Sequence, residues 1–125
     1  MRSVPEVPQP VLDTLRGAGA RFALVFGSRA TGTARPDSDL DIAAWFDEPA
    51  PASFEVLLPA GVDLVVLNRA RLAIAGPISC EGIPVLVEDE SAMVHWLAMT
   101  RKIYLDELPR IRRSMAEYRE AILHG

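Results

Sequence analysis

Apolar residues fall into short blocks along this chain, divided by Gly, Pro and Asp, and each block carries a period. Arg21 to Phe26 (RFALVF) is a compact apolar run closed by Gly27 and Ser28, which fits a buried strand. Asp39 to Phe46 predicts a second strand, closed by DEPAPA, and Val62 to Leu67 (VDLVVL) a third, framed by Pro59-Ala60-Gly61 and Asn68. Ile83 to Val87 predicts a fourth strand, at a sheet edge because it carries Pro84.

Between the strands the spacing is helical. An extended lead-in over residues 1–10, with Pro5, Pro8 and Pro10, precedes a short helix over Val11 to Arg16 that Gly17 and Gly19 end. A helical turn is expected around Ala30 and Thr31 before a loop at Pro36, and a short helix at Phe54, Leu57 and Leu58. A further helix is expected near Arg69 to Ala75, followed by turns at Gly76-Pro77 and Glu81-Gly82. Glu90 to His124 is helical, and Tyr104, Leu108, Ile111, Met115, Tyr118 and Ile122 recur at alternating steps of four and three. That seam either packs on the protein's own sheet or docks another helical chain; Pro109, inside it, is expected to kink or restart the helix. Strands alternating with helices give an α/β layer around one small sheet, a single domain over residues 1–125.

Composition narrows the partners. The net charge of -4 argues against direct nucleic-acid coating, which needs a basic face, but not against one nucleotide held through a metal. Cys80 is the single cysteine, so no internal disulfide or cysteine zinc cluster forms. The start, MRSVPEVPQP, has no apolar leader and no run reaches membrane-spanning length. A cytoplasmic protein with no membrane contact is the expectation.

One stretch departs from this ordinary pattern. In GSRATGTARPDSDLDI, Asp39 and Asp41 lie one residue apart, on the same face of the coming strand, beside apolar neighbours. Two familiar motifs nearly fit. Gly27 and Gly32 have the glycine spacing of a phosphate loop, but Thr33 and Ala34 stand where Lys and Ser/Thr are required. Asp37, Asp39, Asp41 and Glu48 match acidic positions of a calcium-binding loop, but Ile42 replaces its turn glycine.

A third reading uses every residue. Gly27 lets backbone approach a ligand, and Ser28 with nearby N–H groups can hold phosphate oxygens. Asp39 and Asp41 offer hard oxygen ligands suited to magnesium, and Asp63 on the third strand adds another. Three such carboxylates could hold two ions about 3.5–4 Å apart for in-line displacement at phosphorus. Cations would then offset the repulsion between the acids.

With VDLVVL, this segment resembles the nucleotidyltransferase superfamily typified by DNA polymerase β. Within it the chain is similar to the minimal nucleotidyltransferases, antitoxin partners of HEPN-domain toxins. The resemblance covers roughly residues 11 to 108. It implies a small mixed sheet flanked by helices with a C-terminal helical segment over 90–124, and two Mg2+ ions with ATP as substrate. Gly27 and Ser28 would contact the phosphates, with Arg29 and Arg35 near the triphosphate. Asp39, Asp41 and Asp63 would be the metal ligands and catalytic acids, Asp63 also activating the acceptor hydroxyl. The implied activity is transfer of AMP to a tyrosine of the cognate HEPN ribonuclease toxin. Two other functions stay open: an antitoxin that neutralises by binding alone, and a transferase acting on an aminoglycoside-like hydroxyl.

Each residue also has a plainer reading. Asp39 and Asp41 could cap a loop-to-strand turn, Asp63 could be a polar strand residue, and Arg29 a solvated arginine. His95, beside Trp96, has no metal-type neighbour in sequence. Cys80 reads as a semi-buried small residue, Thr31 and Thr33 as turn residues, and Met93, Met99 and Met115 as core or interface filler. Arg110, Arg112 and Arg113 form a solvated face or steer an acidic partner.

Overall fold

The computed structural model describes residues 4–33 and 38–124. Four strands, β1 (Ala20–Phe26), β2 (Leu40–Phe46), β3 (Val62–Val66) and β4 (Ile83–Val87), form one mixed sheet in the order β3-β2-β1-β4. β1 is antiparallel to both β2 and β4, and β2 is parallel to β3. The helices are α1 (Gln9–Gly17), α2 (Ser28–Thr31), α3 (Leu72–Glu81) and α4 (Glu90–His124). This is the mixed sheet flanked by helices, with a long C-terminal helix, that the sequence leads one to expect.

The two central strands explain their unbroken apolar runs, since both of their faces are covered. On one face Ala23, Val25, Ile42, Ala44 and Phe46 pack with Val11 and Leu15 of α1. On the other Phe22, Leu24 and Ala43 pack with Ile78 of α3 and with Met93, Trp96 and Leu97 of α4. The Phe22 and Trp96 rings meet at a centroid distance of 5.9 Å, tilted by 49°. Edge strand β4 tolerates Pro84 because its outer side needs no ladder bond.

Several boundaries differ from expectation. α1 begins at Gln9, inside the expected lead-in (residues 1–3 of which lie outside the described residues), since Pro10 in a first turn sacrifices no hydrogen bond and Val11 N donates to Pro8 O. Asp39 precedes β2 instead of opening it, and Leu67 leaves β3 in a 3-10 turn over Leu67–Arg69. Around Phe54 only a 3-10 turn forms, over Ser53–Glu55, because Phe54 and Leu57 are 82% and 84% exposed and meet no apolar surface.

Gly76-Pro77 is not a turn: α3 runs through it. The missing Pro77 N–H costs one bond, and Gly76 is kept because a Cβ there would lie 2.1 Å from Tyr104 Cδ1. Pro109 likewise does not end α4, which continues from Glu90 to His124; Leu105 and Pro109 both face solvent, where water can satisfy the carbonyl left over. Cys80 is exposed, not semi-buried, and His95 is exposed. The Pro36 loop, with Arg35 and Asp37, lies outside the described residues. Among those described, no helix is long and apolar enough to cross a membrane.

Candidate active site

The antiparallel pairing of β1 with β2, and the parallel pairing of β2 with β3, bring three strand ends to one place. The last residue of β1, Phe26, lies opposite Asp41, and Asp41 lies opposite Asp63. Directly opposed residues on neighbouring strands share a face. Asp41 and Asp63 therefore point the same way, on the α3/α4 side, in line with Ala43 and Val65 of that core. Asp41 is half-buried, while Asp39 and Asp63 are exposed.

Two glycines shape the edge. Gly27 has φ +73° and ψ -152°, a backbone region open almost only to glycine, and a Cβ on it would lie 2.5 Å from Asp41 Oδ2. Gly61, φ +85°, accepts at its carbonyl a 2.8 Å bond from Leu40 N, which ties the start of β2 to the approach of β3. Asp39 Oδ1 lies 4.0 Å from where a Cβ of Gly61 would stand. The peptide after Gly27 turns at once into α2, where Ala30 N and Thr31 N both donate to Gly27 O and the left-handed Gly32 closes the turn. Ser28 opens that turn and is half-buried; Thr31 and Thr33 hydroxyls bond each other at 3.0 Å.

Electrostatics tie the three acids together. Burial, then the charge of Asp63, then that of Asp39 push the Asp41 carboxyl above the usual carboxylate range. Like charges are thus close enough to feel one another. Even so, among the described residues no three acidic, His or Cys side chains already converge into a cage for an ion. The donor set fits magnesium by its chemistry, hard carboxylate oxygens that repel until a cation joins them, and calls for side-chain rotation on binding.

Arg29 takes a place the sequence did not suggest. Its Nη2 donates to Ser38 O at 2.7 Å, and its buried Nε has no partner among the described residues. It lines a cavity of about 550 Å³ with Leu40, Gly61 and Val62, on the α1 side of the sheet, and so braces the segment that carries Asp39. No spacing rule announces such a brace, because it needs the loop closed first. A second cavity, about 280 Å³, opens on the α3 side between Phe26, Gly27, Ala73, Ile74, Pro77, Ile78 and Glu81. Ile74, exposed on α3, gave no signal in the sequence.

Residues 14–91 match the family model described as polymerase beta, nucleotidyltransferase. No curated protein matches the chain. Among solved structures, a toxin–antitoxin with AMP-PNP is 22% identical, with TM-score 0.68 over 87% of this chain and 94% of that one. The MntA–HepT toxin–antitoxin is 20% identical, with TM-score 0.63 over 87% and 92%. A tri-AMPylated Shewanella oneidensis HEPN toxin in complex with MNT antitoxin gives a chain 21% identical, with TM-score 0.54 over 86% and 94%. At these identities the likeness is one of fold.

Proposed function

Because the chain belongs to the polymerase β nucleotidyltransferase family, we propose that it transfers AMP from ATP, with magnesium, to a tyrosine hydroxyl of a cognate HEPN ribonuclease toxin and thereby acts as its antitoxin. The observation that carries the reading is the register setting Asp41 against Asp63 with Gly27 backed onto Asp41. The fold neighbours add support, being complexes of toxin with antitoxin, one with AMP-PNP and one with AMPylated toxin.

Asp39, Asp41 and Asp63 would hold the magnesium. Bound there, it would neutralise phosphate charge and make the acceptor hydroxyl more acidic. The chain's own residues do the placing. Gly27 gives the phosphates a close backbone approach and Ser28 a hydroxyl donor. Asp63, exposed at the edge, receives the proton of the arriving hydroxyl. The acceptor oxygen bonds to the α-phosphorus as the bridge to the β-phosphate breaks and pyrophosphate leaves. The cavity beside Gly27, mostly apolar, takes the flat base, and Arg29 keeps Asp39 in place through Ser38.

Incubation with labelled ATP, magnesium and the cognate HEPN-domain toxin tests the reading. Label is expected on a toxin tyrosine, and Asp39→Asn or Asp41→Asn should lower the initial rate about 100-fold or more. Normal labelling by both variants overturns it. Neutralisation by binding alone is a second reading, favoured by the uncovered end of α4, and a double Asn variant that still silences the toxin would select it.

A further inference from the structure

Past Leu108 the long helix leaves the body of the protein. Arg101 Nε donates to Ser79 O and the Tyr104 ring lies against Gly76, so α3 and α4 run antiparallel, and the start of α3 at Leu72 falls near Leu108. The seam follows suit. Tyr104, Leu108 and Ile111 are half-buried, whereas every residue from Arg112 to Leu123 is exposed. Met115, Tyr118 and Ile122 continue the stripe at 61%, 70% and 63% exposure. A helical stretch of this length gains nothing in water from such a face, and an apolar stripe that continues an internal one marks an interaction surface.

We propose that this face of α4 docks an amphipathic helix of the acceptor protein whose apolar seam is flanked by acidic side chains. The identity of the acceptor rests on the function proposed above. Charge selects the occupant. On one flank of the seam the seven-residue repeat places Leu105, Arg112 and Arg119; on the other it places Glu107, Ser114 and Ala121. Between residues 110 and 123 there are four arginines and two glutamates, on a chain of net charge -4. A second copy laid antiparallel would set Arg112 of one chain against Arg119 of the other, and a parallel copy would set Arg119 against Ser114. A partner helix with Glu or Asp at those flanks meets both arginines favourably. Position agrees as well. The first turn of α3, where α4 departs, supplies Ala73 and Ile74 to the cavity at Gly27, so a docked chain sits beside the candidate site.

Titration calorimetry without ATP tests this, with the full chain and the cognate HEPN-domain toxin of the proposed function. Wild type is expected to bind, more weakly as salt rises. Met115→Asp with Ile122→Asp should weaken binding about 100-fold, and Arg112→Glu with Arg119→Glu about 10-fold, with Tm and ATP binding unchanged. No binding by wild type, or unchanged affinity in either variant, overturns the proposal. So does sedimentation showing a wild-type dimer that Met115→Asp with Ile122→Asp converts to monomer, since the occupant is then a second copy. Because AMP transfer is scored separately, binding with no label on the toxin sinks the transferase reading and leaves this one standing.

Discussion

Gly27 and Asp41 act as one unit: the glycine's backbone occupies the space beside the carboxylate, and its φ of +73° is one a side chain resists. Gly27→Ala is therefore expected to cost about 1–3 kcal/mol in denaturant unfolding and to displace Asp41. Asp41 is itself a strained charge. An acid whose folded pKa is raised adds stability that is complete below its unfolded value, 3.8, and lost as pH climbs through the folded one. Asp41→Asn should thus raise the Tm of the metal-free protein at pH 7, and the gain should vanish as pH falls below 3.8. A lower Tm for the variant at pH 7 would contradict that account. The positions of Gly27, Asp39, Asp41 and Asp63 at or beside strand ends were legible in sequence because apolar runs and breaker glycines mark those ends, whereas the register that sets Asp41 against Asp63 was not. Arg29 was not: its brace on Ser38 depends on a loop closing over nine residues, which leaves no periodic trace.

At the scale of elements, strands were read more truly than helices. Each strand is an apolar run cut off by Gly, Pro or Asp, and its limits follow from the cut. Pro77 and Pro109 mislead for a different reason, since a single lost N–H is outweighed when the helix on either side is held or its freed carbonyl meets water. For α3 the holding contact is Tyr104 on Gly76, where an added methyl would meet ring carbons at 2.1 to 2.7 Å. Gly76→Ala should destabilise by about 1–3 kcal/mol through overpacking. Combined with Tyr104→Ala it should cost less than the sum of the two single changes, the cycle reporting their contact. Strict additivity would show that α3 and α4 are fastened elsewhere. The Phe54 region erred the other way: of three apolar residues at helical spacing only Leu58 meets the core, and with Phe54 and Leu57 uncovered no more than a 3-10 turn forms.

The whole molecule divides into a held body and a projecting helix. Phe22 to Val25 and Ile42 to Ala44 are buried on both sheet faces, so opening them requires removing α1 on one side and α3 with α4 on the other. Their amides should exchange only by global unfolding. From Arg112 to Leu123 α4 is helix without tertiary cover, and so short a stretch is marginal alone, kept only by continuity with the packed turns before it. Hydrogen exchange followed by mass spectrometry should therefore show a steep gradient along α4, slow at Trp96 and Leu97, which pack in the core, and fast beyond Ile111. Adding the HEPN-domain partner should slow exchange over residues 112–123 and leave the central strands unchanged. Uniform protection along free α4 would mean that the helix end is already covered, and protection by partner confined to the sheet would place the docking face elsewhere. The gradient and its loss on binding together join the two parts: a sheet edge that sets the candidate carboxylates, and a helix end left uncovered to receive an acceptor.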